Sequence, residues 1–179
     1  MKHMLGLLVV VAMLGVVGTS SAGALDLAGF GSYSTTTDIG DAWGFGAKLD
    51  VGLGQLVFLE GRASYYPEFK ESIFDEDLKI KAFPLELGLG VTVSNFFASA
   101  GLTYFFLDPD HGEMDDSAGF YLSGGFKTGQ PKGGFGFYGD VMYRVLTSTV
   151  NVGDDDITIS SKDVDLDGIG INLGIVFRF

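Results

Sequence analysis

The sequence predicts an all-β chain: an eight-stranded antiparallel up-and-down transmembrane barrel preceded by a signal peptide. Three observations carry this expectation. Beyond residue 24 the apolar side chains recur at every second position, the period of a strand with two unlike faces. Eight such segments can be counted, an even number. The connections between them alternate short and long, so the two kinds fall on opposite rims of a closed sheet.

The leader comes first. Lys2 and His3 precede the apolar run Leu5 to Val17, followed by Thr19-Ser20-Ser21 and the ending Ala22-Gly23-Ala24. A basic start, an apolar centre and an A-x-A ending are the parts of a secretory signal peptide, with cleavage expected after Ala24. A retained membrane helix would need roughly 20 apolar residues, and this run stops short. Residues 25–179 are then the barrel domain.

The strands follow in order. Leu25 to Ser34 is the weakest. Trp43, Phe45, Ala47, Leu49 and Val51 oppose Gly44, Gly46, Lys48, Asp50 and Gly52. Val57, Leu59, Gly61, Ala63 and Tyr65 oppose Phe58, Glu60, Arg62 and Ser64. Phe83, Leu85, Leu87, Leu89 and Val91 oppose Pro84, Glu86, Gly88, Gly90 and Thr92, with a bulge or local break expected at Pro84, which has no N–H for the ladder. Ala98 to Phe106, Phe120 to Lys127 and Phe135 to Val145 repeat the split. The clearest segment is the last, where Ile169, Ile171, Leu173, Ile175, Phe177 and Phe179 oppose Gly168, Gly170, Asn172, Gly174, Val176 and Arg178. Short turns are expected near 54–55, 94–95 and 128–133; longer, acidic loops are expected over 34–42, 67–77, 108–117 and 147–165.

Sidedness follows from size. The interior of an eight-stranded barrel is just wide enough for side chains, so the Gly, Ser and charged face belongs inside and the bulky apolar face outside, against lipid. The charges on the inner face are Lys48, Asp50, Glu60, Arg62, Glu86, Lys127, Asp140 and Arg144, four of each sign, a set able to neutralise itself in a poorly hydrated lumen. Trp43, Tyr65, Tyr104 and Tyr143, near the strand ends, read as interfacial girdle residues.

Composition narrows the function. Twenty-three acidic against 11 basic residues give a formal charge of −12, which repels a phosphate backbone and argues against a nucleic-acid partner. Zero Cys and two His leave little for a disulfide framework or a zinc site. His111 in Asp108-Pro109-Asp110-His111-Gly112-Glu113 has acidic neighbours but reads as a loop histidine, so no catalytic residue is assigned and no enzyme is expected. Asp163-Val164-Asp165-Leu166-Asp167-Gly168 begins like an EF-hand loop, yet its twelfth position is Gly174 where the loop needs Glu. With Asp154-Asp155-Asp156, these acids could hold a weak divalent cation or bridge through one to lipopolysaccharide; no metal or cofactor site is assigned.

At the C-terminus, Asn172-Leu173-Gly174-Ile175-Val176-Phe177-Arg178-Phe179 resembles the terminal signal of bacterial outer-membrane proteins. The mature chain resembles the small eight-stranded outer-membrane barrels of the OmpA/OmpX type. The resemblance implies outer-membrane localisation and recognition of Asn172, Gly174, Phe177 and Phe179 by the barrel-assembly machinery. A monomer in outer-membrane lipid is expected, with a structural or surface-interaction role such as envelope integrity or adhesion. The alternatives are a narrow small-solute channel and a lipid-modifying enzyme using His111.

Overall fold

Backbone N–H and C=O groups cannot be left unpaired in hydrocarbon, so a chain that crosses by strands must close its sheet. The computed structural model describes residues 24–73, 76–109, 113–114, 116–129, 133–154 and 157–179. The described residues form eleven strands: β1 Leu25–Thr36, β2 Gly40–Gly52, β3 Val57–Ile73, β4 Glu76–Val93, β5 Phe96–Pro109, β6 Glu113–Met114, β7 Ser117–Lys127, β8 Gly134–Val145, β9 Thr147–Asp154, β10 Ile157–Asp165 and β11 Gly168–Arg178. Eight of them close an antiparallel barrel in the order β1-β11-β8-β7-β5-β4-β3-β2, while β10, β9 and β6 form a separate three-stranded sheet. Of the segment expected as the leader, residues 1–24, all but Ala24 lies outside the described residues.

The weakest predicted strand is a full member of the barrel. β1 pairs along its length with both β2 and β11, Tyr33 lying between Trp43 and Ile171. At the lower rim, where β1 begins and β11 ends, Phe179 N–H donates to Leu25 O at 2.9 Å and Gly52 N–H to Ala24 O at 3.0 Å. The short turns also lie there: Leu53 N–H bonds Val57 O at 2.8 Å, and Lys127 N–H bonds Asn95 O at 2.7 Å.

Three of the four expected long loops are corrected to strand in large part. β3 and β4 stay paired out to Ile73↔Glu76, so the region 67–77 is a hairpin extension with only residues 74–75 undescribed. The region 147–165 continues β8 upward as β9 and returns as β10 into β11, paired from Thr147↔Asp165 to Asp154↔Ile157. The region 34–42 contracts to the turn Thr37-Asp38-Ile39, whose Ile39 is buried. The sequence of these stretches lacks the strict apolar alternation that marks the barrel strands, and so reads as loop. Opposite Pro84 and Phe83 the β3–β4 ladder is interrupted between Ala63↔Leu85 and Tyr66↔Ala82; a register shift follows between Tyr66 and Phe69, the stretch containing Pro67. On its other edge Pro84 stays in register with Phe105.

The two faces of the barrel differ as the alternation requires. On β11, Leu173 is 63% exposed and its neighbour Asn172 is 0% exposed. The outer face carries Leu87, Leu89, Leu102, Phe120, Leu122, Phe137, Ile171 and Ile175, all exposed. Aromatic pairs border this band at both rims. Trp43 with Tyr33, Phe45 with Tyr65 and Tyr104 with Phe106 have ring centroids 4.9, 5.7 and 4.9 Å apart toward the upper rim; Phe177 lies 4.8 Å from Phe135 and 4.6 Å from Phe179 at the lower. An apolar wall between two aromatic girdles is the exterior of a lipid-embedded barrel.

Candidate functional site

The lumen is where the sequence places most of its charge, and three tiers fill it. All eight charged residues named from the sequence, Lys48, Asp50, Glu60, Arg62, Glu86, Lys127, Asp140 and Arg144, are buried inside the barrel. Inward alternation puts them there; pairing across the bore satisfies most of their charge. Arg62 is the hub of the middle tier. Its Nη2 lies 2.6 Å from Asp140 Oδ2 and 3.2 Å from Glu60 Oε1, and its Nε lies 3.6 Å from Glu86 Oε2. Glu86 Oε1 accepts from Arg144 Nε at 2.8 Å, and Glu60 Oε2 lies 2.7 Å from Lys48 Nζ. Neutral donors complete the acids: Tyr121 Oη and Ser99 Oγ bond the Glu60 carboxylate at 3.0 and 2.9 Å, while Tyr138 Oη and Asn172 Nδ2 donate to Asp140.

At the lower rim Lys127 Nζ sits 2.9 Å from Asp26 Oδ2 and 2.8 Å from Asp50 Oδ2, and Arg178 grips Asp26 through Nε at 2.7 Å and Nη2 at 3.0 Å. Asp26 and Arg178 were not among the charges singled out from the sequence. β1 shows little contrast between its faces, and Arg178 reads as the penultimate residue of the terminal motif. Their addition makes five acids and five bases, so among the described residues the filling is electroneutral.

Rings occupy what the ions leave. Phe30, Phe58, Phe97 and Tyr138 pack with Ala28 and Val176 between the ionic tiers, and Lys48 Nζ lies 4.0 Å from the centre of the Phe97 ring, a cation–π contact. Phe58, on the inner face with Glu60 and Arg62 by alternation, is thus one of several large rings in the tube, and the interior glycines make room for them. A Cβ on Gly46 would meet Phe30 Cε2 at 2.7 Å, and one on Gly90 would meet Phe58 Cε1 at 2.6 Å. The upper third is apolar. Ile39, Ala42, Tyr66, Phe69, Ile80, Ala82, Phe105, Leu107, Leu146 and Leu166 form one buried cluster that caps the ionic core.

The terminal-motif residues divide between the faces. Asn172 points inward to Asp140, while Phe177 and Phe179 stack in the lower aromatic girdle. A Cβ at Gly174 would meet Phe30 Cα at 2.7 Å, so the β1–β11 seam requires glycine there. Of the EF-hand-like acids, Asp167 Oδ1 accepts from Leu146 N–H at 2.7 Å and Asp165 Oδ1 from Thr147 Oγ1 at 3.3 Å, so both serve the upper turns. Among the described residues no group of three or more His, Asp or Glu is placed to hold a metal ion. His111, Asp155 and Asp156 lie outside the described residues.

The solved structures that this barrel resembles include three outer-membrane proteins. The outer membrane protein OprG from Pseudomonas aeruginosa superposes with a TM-score of 0.69 at 17% identity, covering 88% of this chain and 96% of that one. The outer membrane protein AlkL, solved by solid-state NMR in DMPC bilayers, gives 0.67 at 13% identity over 88% and 90%. The fold is that of a small outer-membrane barrel. Ail, the attachment invasion locus protein of Yersinia pestis, solved with the heparin analogue sucrose octasulfate, gives 0.50 at 15% identity over 88% and 99%. No protein-family model and no curated protein matches the sequence.

Proposed function

We propose that the chain is a monomeric, non-catalytic outer-membrane barrel that contributes to envelope integrity and surface interaction and does not conduct solute. The observation that supports this most directly is the filled bore. A through-path would have to part Arg62 from Asp140, Glu60 and Glu86, then displace the apolar cap. Separating buried ion pairs leaves uncompensated charge in a medium of low polarity, which costs several kcal/mol for each ion. The hairpin extension of β3 and β4 and the β6–β9–β10 sheet supply the surface that projects beyond the membrane. The outer wall takes lipid as its partner, and the terminal motif on β11 is the segment offered to the assembly machinery.

Planar-bilayer recording of the refolded chain tests the reading. A silent bilayer at all holding potentials is expected. Steady unitary currents would replace it with the small-solute channel. Shortening the β9–β10 hairpin should then remove surface attachment while the barrel keeps its heat-modifiable gel mobility.

A further inference from the structure

Six buried side-chain atoms without a protein hydrogen-bond partner come from neighbouring inward positions of the lumen: Arg62 Nε, Ser64 Oγ, Glu86 Oε2, Thr103 Oγ1, and Arg144 Nη1 and Nη2; of these, Arg62 Nε and Glu86 Oε2 face each other as an ion pair at 3.6 Å, beyond hydrogen-bond length. Glu86 contributes one of them and neighbours those of Arg62, Thr103 and Arg144. Arg62 is its register partner on β3 and Thr103 its register partner on β5, so three inward side chains lie in one row across adjacent strands. Ser64 is the next inward position above Arg62, and Arg144 reaches the row from β8 through its Nε bond to Glu86 Oε1. The apolar cap lies beside it, the Phe105 ring centre being 5.7 Å from Arg144 Cζ. The guanidinium itself packs closely against Gly170, where a Cβ would stand 3.0 Å from Arg144 Nη1.

The chemistry of these atoms narrows the occupant. Three guanidinium nitrogens donate, two hydroxyls both donate and accept, and one carboxylate oxygen accepts. An anion would meet Glu86, and a cation would meet Arg62 and Arg144. The ionised groups of the lumen already balance, so any charged guest would unbalance them. A small neutral molecule that both donates and accepts satisfies all six atoms, and water is the smallest. A buried water makes about three hydrogen bonds, so six atoms correspond to about two molecules. Leaving such atoms dry costs more than hydrating them. We propose that the lumen holds a water site of about two ordered molecules around Glu86, bounded below by the ionic tier and above by the apolar cap.

Water-edited solid-state NMR of the full chain in lipid bilayers tests this on the native protein. Magnetisation from water should reach the Thr103 methyl group and the Arg144 side chain about as fast as the exposed turn at Ser94 and Asn95, and the Phe97 and Tyr138 rings several-fold more slowly. Build-up at Thr103 and Arg144 as slow as at Phe97 overturns the site. The near-isosteric Thr103→Val gives a second reading. If Thr103 is hydrated, the variant loses a bond, its urea midpoint falls, and transfer to Arg144 weakens. A midpoint at or above the native one means that the hydroxyl was dry and overturns the proposal.

Discussion

Replacing Arg62 with Met tests how much the ionic filling contributes, because Met conserves most of the aliphatic length and removes only the charge and its bonds. Arg62 lies within 3.6 Å of three carboxylates, and its side chain is 0% exposed. Without it Asp140 keeps only the neutral donors Tyr138 and Asn172, Glu60 keeps Lys48, and Glu86 keeps Arg144, so the lumen carries one uncompensated negative charge. Breaking a buried pair from one side costs about 3–5 kcal/mol. At a urea slope of about 2 kcal/mol per molar, the unfolding midpoint falls by about 2 M. The assay is urea unfolding in lipid vesicles, followed by the fluorescence of Trp43, the single tryptophan, and by the gel-mobility shift on boiling. Adding Asp140→Asn to Arg62→Met restores neutrality and should recover half or more of the loss. A midpoint lowered by less than about 0.5 M in the single variant, or no recovery in the double one, would refute the claim that electroneutrality holds this lumen together.

Further expectations concern the wall and the packing. Leu173→Arg, which sets a charge toward lipid, should cost about 2–4 kcal/mol in the same unfolding assay; an unchanged midpoint would mean that this face does not meet the bilayer core. Gly90→Ala forces a Cβ against the Phe58 ring and should cost about 1–3 kcal/mol. Adding Phe58→Leu should return part of that cost, and strict additivity of the two changes would separate the sites. Trp43 is 73% exposed on the outer wall, so brominated lipids should quench its emission while aqueous acrylamide does so poorly. The reverse order would take Trp43 out of the bilayer.

The barrel was legible because the outer wall is uniform. Ile169 to Phe179 and Phe83 to Val91 each present a bulky apolar residue at alternate positions, and nothing but lipid requires that of a surface. β1 was faint for a matching reason. Its outward residues include Gly29 and Gly31 while Phe30 faces in, so size does not separate its faces. The upper hairpins read as loops because they leave the membrane. Thr147, Thr149, Val150, Val152, Ile157 and Thr158 are β-branched, however, and that enrichment was the available signal for β9 and β10. Inward charges could be named from alternation alone, since each interrupts a face of Gly and Ser. Their partners could not, because the contacts run across the bore: Lys127 meets Asp26 over a sequence separation of 101 residues.

Sidedness is tested most directly by a nitroxide scan along β11, one residue at a time from Ile169 to Phe177, in a chain that has no native cysteine to remove. Oxygen accessibility in lipid should peak at Ile169, Ile171, Leu173, Ile175 and Phe177 and fall at Gly170, Asn172, Gly174 and Val176. Peaks at the second set, or no period of two, would contradict an apolar wall around an ion-filled bore.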